Sequence, residues 1–234
     1  PDAASIYQRI ANYGGCSANV ISANSTRLVA TTAGHCVFAT RNTFNYSTVD
    51  PRRNGTASPT WGTWTPVLFG YQPEYRDLDC EEDWDGSICI QHDIAIVIAV
   101  PNSGATPPRS MGWSYASKSW LNARNKYRRG YPGCSESASP AGCTNNNLYG
   151  DGAFNIGPLS HPIMGGWNRE MAVSTDWSPG DSGSGAYFYS GGYPYVFGVV
   201  SASSSCQETC TSSYPNFLRR ITPDWFDFIS DVVF

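Results

Sequence analysis

Residues 177–185 read Trp-Ser-Pro-Gly-Asp-Ser-Gly-Ser-Gly. Gly180 and Gly183 lie on either side of Ser182, and glycine lets a backbone adopt positive φ and pass close to another molecule. Such a turn suits a nucleophile, although Gly-x-Ser-Gly stretches are also common in flexible loops. A serine hydroxyl is a weak nucleophile at neutral pH. A catalytic Ser182 therefore needs a general base, a group that orients the base, and donors for the oxyanion.

The composition excludes several classes of protein. The chain has 234 residues, enough for one large all-β unit or two small packed barrels. Its net charge is −4 and only 15% of its residues are charged, so no nucleic-acid partner is expected. The longest apolar run, residues 94–100, is too short to cross a bilayer. Neither a signal peptide nor a lipidation motif is visible, so we expect that a secreted protein has already lost its targeting segment.

The cysteines indicate an oxidising compartment. There are eight, spaced so that sequence neighbours can pair and none is left over. The predicted disulfides are Cys16–Cys36, Cys80–Cys89, Cys134–Cys143 and Cys206–Cys210. A zinc site is the weaker alternative, because no Cys-x-x-Cys pair occurs and the three histidines lack ligand spacing. We expect no metal and no cofactor.

Most of the chain shows the pattern of an all-β protein. Short apolar segments alternate with clusters of Gly, Pro, Asn and Ser. The predicted strands cover residues 20–21, 27–32, 64–69, 94–100, 171–174, 185–189 and 195–200. The polar stretches 41–62 and 133–152 are predicted to be surface loops. Near the C-terminus, Thr222 and Pro223 can start a helix. A short docking helix is predicted over 222–232, with apolar residues at helical spacing.

A general base for Ser182 is found in residues 28–37, Leu-Val-Ala-Thr-Thr-Ala-Gly-His-Cys-Val. A strand ends there, and His35 follows it next to Cys36. A lone histidine is more often structural than catalytic. A histidine held by a disulfide at a strand end is a better candidate, because a general base must stay within hydrogen-bond reach of its proton donor. His92 and His161 lack such support.

Asp93 is the candidate for the group that orients the base. It stands immediately before the apolar run 94–100, where an unpaired carboxylate is costly to bury. A histidine ring N–H would stabilise it there. An aspartate that merely begins a strand from a turn is the alternative.

Three segments together resemble a known family. Residues 32–36 (Thr-Ala-Gly-His-Cys), 92–95 (His-Asp-Ile-Ala) and 180–183 (Gly-Asp-Ser-Gly) are similar to the His, Asp and Ser motifs of the chymotrypsin-like serine peptidases, in that family's chain order. The resemblance runs from about Gly14 to the end of the chain. The Ala-Gly-His-Cys-Val form and the Ser-Gly-Ser after Asp181 are closer to the microbial branch that includes glutamyl endopeptidases than to digestive trypsins.

This resemblance implies an all-β fold of two packed six-stranded antiparallel β-barrels with a short C-terminal helix. The N-terminal barrel would comprise residues 1–105 and the C-terminal barrel residues 106–234. His35 would act as general base and then acid, Asp93 as its orienter and Ser182 as the nucleophile. The backbone N–H groups of Gly180 and Ser182 would form the oxyanion hole.

The resemblance also assigns residues around the substrate. Ser201 matches the serine that supports the buried aspartate, and residues 201–203 match the strand that pairs with substrate backbone. Asp176 stands where trypsins carry the aspartate that binds arginine or lysine. Trp177 and Asn216 fall where small residues usually keep the pocket open.

The specificity prediction has a rival. Asp176 favours Arg or Lys on the acyl side of the cut bond. Glutamyl endopeptidases place a histidine just before the residue that matches Ser201, and this chain has Val200 there. We expect Arg or Lys, with Glu or Asp as the alternative.

Two features of the sequence depart from the family pattern. The chain begins Pro1-Asp2, without the Ile-Val-Gly-Gly start whose amine pairs with the acid before the nucleophile, so either Asp181 needs another partner or activation works differently. Position 178 is serine where many relatives have a cysteine, which leaves Cys206 to pair with Cys210.

The functional prediction is a secreted, monomeric serine endopeptidase acting on proteins or peptides, open to protein inhibitors and without a membrane partner. A non-catalytic binding module of the same fold is the main alternative. An esterase of another fold would need its serine between a strand and a helix.

Overall fold

The computed structural model describes residues 6–53, 58–80, 86–131, 169–173, 180–203 and 216–234. They form a closed six-stranded barrel, a further six-stranded sheet and a C-terminal helix. The all-β fold class predicted from the sequence is confirmed. The boundary between residues 105 and 106 stays a prediction.

The N-terminal barrel has the strand order β1-β2-β3-β8-β7-β6, with antiparallel neighbours throughout. Its strands are β1 (Ile10–Tyr13), β2 (Cys16–Ala23), β3 (Leu28–Thr32), β6 (Val49–Pro51), β7 (Trp64–Tyr71) and β8 (Ala95–Pro101). A small hairpin, β4 (Phe38–Thr40) with β5 (Thr43–Phe44), stands beside the barrel.

The prediction that residues 41–62 form only a loop is wrong. β5 and β6 lie inside this range, and β1 was not predicted at all. These strands have two to four residues, too few for an alternating pattern to be visible. β6 exists because it pairs with β1, where Ala11 opposes Pro51, and with β7, where Val49 opposes Trp64.

The second sheet has the order β10-β12-β13-β14-β11, and β9 pairs with β13. Its strands are β9 (Gly112–Trp113), β10 (Tyr127–Arg129), β11 (Glu170–Val173), β12 (Gly185–Ser190), β13 (Tyr193–Ser203) and β14 (Asn216–Arg220). β9 runs parallel to β13, a local difference from the antiparallel pairing that was expected.

The helices in the described residues are α1 (Gly34–Val37), α2 (Pro73–Asp77), α3 (Gly86–His92), α4 (Lys118–Asn122) and α5 (Pro223–Val233), with a 3₁₀ turn at Tyr7–Arg9. The predicted C-terminal helix is present as α5, with Pro223 in its first turn. Thr222 occupies the N-cap position, but its side chain makes no capping hydrogen bond. α1 to α4 are too short to show helical periodicity in the sequence.

One apolar cluster joins the two sheets and α5. Ile94, just before β8, and Ile96 of β8 share it with Val199 of β13 and with Trp225 and Ile229 of α5, all at most 3% exposed. Each such side chain contributes about 1.5–3 kcal/mol through burial. This cluster fixes the segment that carries Asp93 against the sheet that carries Ser182.

Two of the predicted disulfides are confirmed, Cys16–Cys36 and Cys80–Cys89. The cysteines predicted to form Cys134–Cys143 and Cys206–Cys210 lie outside the described residues. None of the described helices is long and apolar enough to cross a membrane.

Candidate active site

Asp93 and His35 are in direct contact. Asp93 precedes β8 and is fully buried, and its Oδ2 lies 2.9 Å from His35 Nδ1. Asp93 Oδ1 also accepts a hydrogen bond from the backbone N–H of His35 at 2.7 Å. The carboxylate thus fixes both the ring and the backbone of His35, while the ring itself stays 27% exposed to receive a ligand.

A third donor completes the surroundings of Asp93. Ser201 Oγ, on β13, donates to Asp93 Oδ2 at 2.5 Å. A buried carboxylate is stabilised when hydrogen bonds replace its lost hydration. Gly34 makes the close approach possible, because a Cβ at this position would lie 3.0 Å from Asp93 Oδ1. Asp93 is therefore held by residues of both sheets.

His35 is anchored on its C-terminal side by a disulfide. Cys36 is bonded to Cys16 at the start of β2, and its carbonyl accepts from Asn45 Nδ2 at 3.0 Å. Ligand atoms of Cys16, His35 and Cys36 lie within 4.8 Å of one another. Both sulfurs are used in the disulfide, however, so neither is available as the thiolate that a metal ion would need.

The turn that carries Ser182 is tied to the N-terminal barrel through Ser17. The backbone N–H of Ser17 donates to the Ser182 carbonyl at 2.7 Å, and Ser17 Oγ donates to the Gly180 carbonyl at 3.0 Å. Tyr131 N–H in turn donates to Ser17 Oγ at 2.8 Å. These bonds position Ser182 against β2 of the other sheet.

Gly183 packs even more closely against the barrel. It adopts φ +78°, and a Cβ on it would come within 2.2 Å of both Ser17 O and Thr32 Oγ1. Its carbonyl accepts from Asn19 Nδ2 at 2.9 Å. Because Thr32 ends the strand that leads to His35, the Ser182 turn lies beside the histidine segment.

The backbone of the turn orients the predicted oxyanion donors. Gly180 adopts φ +92°, and Ser184 N–H donates to the Asp181 carbonyl at 2.8 Å. In a trans peptide the N–H points opposite to the carbonyl of the preceding residue. The Ser182 N–H therefore points away from Ser184.

Asp181 forms an ion pair with Arg128, a partner that the sequence did not identify. Arg128 Nη1, on β10, lies 2.6 Å from Asp181 Oδ1, and both side chains are buried. Gly130 leaves room for this pair, because a Cβ there would lie 2.7 Å from Asp181 Oδ1. Removing one partner of such a buried ion pair typically costs 3–5 kcal/mol. Arg128 thus stabilises the turn that carries Ser182.

The predicted substrate pocket is described only in part. Ser203 ends β13 opposite Asn216 of β14, which is fully buried. Asp176 and Trp177 lie outside the described residues. A separate cavity of about 360 Å³ opens at the end of β12 remote from Ser182. Its lining includes Ser117, Trp120, Phe188, Ser190 and Tyr195.

Sequence reasoning missed several residues that hold the site together. Ser17 and Asn19 alternate along β2 and are both fully buried, which is an unusual place for polar side chains. Arg128 is one of four cations in residues 124–129. Gln72 is buried beside His92, although it stands 20 residues before it in the sequence and outside the three motifs. For Ser17 and Asn19, the alternation of polar residues along an otherwise apolar strand was the signal that could have identified them.

Comparison with known proteins supports the fold. No family model matches the sequence, and no curated protein matches it significantly. The structure is similar to protease Anisep from Arthrobacter nicotinovorans, with TM-score 0.60 and 18% identity, over 90% of this chain and 87% of that chain. It is also similar to the thermostable serine protease AL20 from an extremophilic microorganism, with TM-score 0.60 and 15% identity, over 95% and 94%.

At these identities the similarity shows the fold alone. The chain has the chymotrypsin-like fold of bacterial serine proteases. The resemblance predicted from the three motifs is therefore supported at the level of fold. A closer relation to the glutamyl endopeptidase branch stays a prediction.

Proposed function

We propose that this protein is a serine endopeptidase that uses His35, Asp93 and Ser182 as a catalytic triad. The observation that carries the proposal is the buried Asp93 carboxylate, which accepts from the backbone and ring of His35 and from Ser201. Such an arrangement fixes one ring nitrogen of His35 as a donor and leaves Nε2 to accept a proton. The fold of two bacterial proteases is consistent with this activity.

The proposed reaction proceeds in two halves. Ser182 Oγ attacks the carbonyl carbon of the substrate while His35 Nε2 takes the hydroxyl proton. The oxyanion is stabilised by the N–H groups of Gly180 and Ser182. The C–N bond then breaks, and His35 returns its proton to the leaving amine. Water, deprotonated by His35, hydrolyses the acyl-enzyme and restores the serine.

A fluorophosphonate probe tests the nucleophile. The wild-type protein is expected to be labelled once, because only an activated serine displaces fluoride from such a probe. Ser182→Ala should abolish labelling, whereas Ser190→Ala, at the exposed far end of β12, should keep it. A wild-type protein that stays unlabelled would identify the fold here as a binding module.

We further propose a preference for Arg or Lys on the acyl side of the cut bond. Asp176 supplies the negative charge for it, and a carboxylate at a pocket floor binds a cationic side chain. Matched peptides that differ only at this residue measure the preference as kcat/KM. A tenfold advantage for Glu, about 1.4 kcal/mol, would show that Asp176 is not the specificity residue.

The cellular location, ligands and oligomeric state are proposed on grounds other than the geometry of the site. Two disulfides favour an oxidising, extracellular location. We propose proteins or peptides as substrates, protein inhibitors as possible ligands and a monomeric state in solution. Mass spectrometry of the culture medium and light scattering test location and oligomeric state.

A further inference from the structure

A buried polar cluster lies directly behind Asp93. Its members come from separate parts of the chain, and of these residues only His92 belongs to a motif singled out in the sequence, residues 92–95. We call it the Gln72 cluster. It comprises Gln72, His92, Arg169, Arg219 and Trp225.

Gln72 stands at the centre of this cluster. It links β7 to α2 and is 8% exposed. One of the two orientations of its carboxamide forms hydrogen bonds with all three neighbouring side chains. In that orientation Nε2 donates to His92 Nδ1 at 2.8 Å, and Oε1 accepts from Arg219 Nη2 at 3.0 Å and from Trp225 Nε1. One side chain thus joins the N-terminal barrel, β14 and α5.

These contacts determine the state of His92. Gln72 donates to its Nδ1, and Arg169 Nη1 lies 3.4 Å from the same atom. Nδ1 is therefore an acceptor, and the ring proton sits on Nε2. Burial, together with Arg169 and Arg219, lowers the pKa of His92, while Glu74 on α2 acts in the opposite direction. His92 is neutral at pH 7.

His92 is the last residue of α3, and Asp93 follows it. Asp93 N–H bonds to Ile90 O at 3.3 Å, and Ile94 N–H bonds to His92 O at 2.9 Å. The orientation of the His92 backbone therefore determines how Asp93 leaves the helix. A side chain that fixes His92 also fixes the carboxylate.

We propose that Gln72 is a positioning residue for the catalytic Asp93, which it fixes through His92 from both sheets and α5 while keeping His92 uncharged. This inference rests on the proposed peptidase function. A charged His92 would add a cation, besides Arg219, to the cluster behind the carboxylate that stabilises protonated His35. Cations near one buried anion repel each other, so His35 would become a weaker base.

Gln72→Glu is the decisive variant, because it nearly preserves shape. A carboxylate still accepts from Arg219 and Trp225, but it can no longer donate to His92. It accepts a hydrogen bond from Nδ1–H of that ring instead, and its negative charge favours the imidazolium. Gln8→Glu, in the 3₁₀ turn, adds the same charge elsewhere and is the matched control.

Histidine ¹⁵N NMR tests the proposal without requiring activity. The spectra are recorded on Ser182→Ala protein, with His92→Asn for assignment. With Gln72 present, His92 should show the neutral Nε2–H tautomer at pH 7. With Gln72→Glu it should show the imidazolium. A charged His92 beside Gln72, or a neutral one beside Glu, would overturn the proposal even if the protein hydrolysed no peptide.

Kinetics test the link to Asp93. For Gln72→Glu we expect kcat to fall at least about fivefold with KM nearly unchanged, and the acid limb of kcat/KM to move to lower pH. Gln72→Asn is too short to reach all its partners, so kcat should fall without that shift. An acid limb that matches the Gln8→Glu control would overturn the positioning role, whereas inactive wild type would contradict the proposed function alone.

Discussion

Glu170 is a buried carboxylate without a hydrogen-bond partner in the described part of the chain. It begins β11 and is 4% exposed. Desolvation raises its pKa from 4.5 to about 7, although Arg219 on the neighbouring strand acts against this. Ionising it in the folded protein therefore costs free energy that the unfolded chain does not pay.

Glu170→Gln is expected to stabilise the protein at alkaline pH. The folded pKa lies above the unfolded one, so wild-type stability falls as pH rises from about 4.5 through 7 and then levels off. The variant lacks this loss, which amounts to about 3 kcal/mol. Thermal unfolding at pH 4 and pH 8 measures it, with the exposed Glu74→Gln as control. Equal melting temperatures for variant and wild type at pH 8 would contradict the assignment.

At the residue scale, the sequence singled out the proposed catalytic residues but not the residues that position them. His35, Asp93 and Ser182 stand in local motifs whose glycines and cysteines are visible in the sequence. Arg128 stands among four neighbouring cations, and nothing in the sequence tells which of them is buried. Arg128 reaches Asp181 because β10, which carries Arg128, pairs with β12, which follows the Ser182 turn.

At the scale of elements, α1 cannot hold itself in place. It has four residues and no side-chain cap, and isolated helices of this length are unstable. Its position depends on the Cys16–Cys36 disulfide, which spans 20 residues. In the chain-entropy description such a bond contributes about 3 kcal/mol.

Removing this disulfide should affect both stability and activity. Replacing Cys16 and Cys36 by alanine is expected to lower the melting temperature by roughly 6–12 °C. It should also lower kcat/KM well below that temperature, because His35 loses its anchor. The Cys80–Cys89 double variant should lower the melting temperature with a smaller kinetic effect. Identical kinetic losses in the two variants would contradict a specific role for Cys16–Cys36.

The sequence predicted the helices and strands whose apolar residues recur at a regular spacing. It did not predict the short strands that form only by pairing with strands distant in sequence. α5 and strands such as β12 and β13 show apolar spacing over five or more residues. β1, β6 and β14 were missed because their residues become strands through neighbours that are distant in sequence. The barrel closes only when all six of its strands are paired.

For the whole molecule, Asn19 is a direct link between the two sheets. It is fully buried on β2, and its Nδ2 donates to Gly183 O and to Thr31 O, at 2.9 and 3.2 Å. The turn that carries Ser182, just before β12, is thereby bonded to β2 of the N-terminal barrel. Sequence alone could not reveal this contact, since 164 residues separate its partners.

Asn19→Leu should disturb catalysis through this link. The apolar side chain has similar volume but leaves the Gly183 carbonyl without its donor, at a cost of about 1–3 kcal/mol. We expect a lower melting temperature and a lower kcat with little change in KM, because Ser182 shifts relative to His35. Unchanged kcat in a destabilised protein would show that the bond serves stability alone.

The position of α5 has a consequence for biosynthesis. This helix follows every strand in chain order, yet Trp225 contacts Gln72, Phe228 lies against Gly70, and Val233 O accepts from Arg27. A ribosome therefore releases the strands of the N-terminal barrel and of the second sheet before the helix that packs behind Asp93 is available. The proposed catalytic centre is therefore incomplete until translation has passed β14, and under the proposed function the nascent chain stays inactive until α5 can fold.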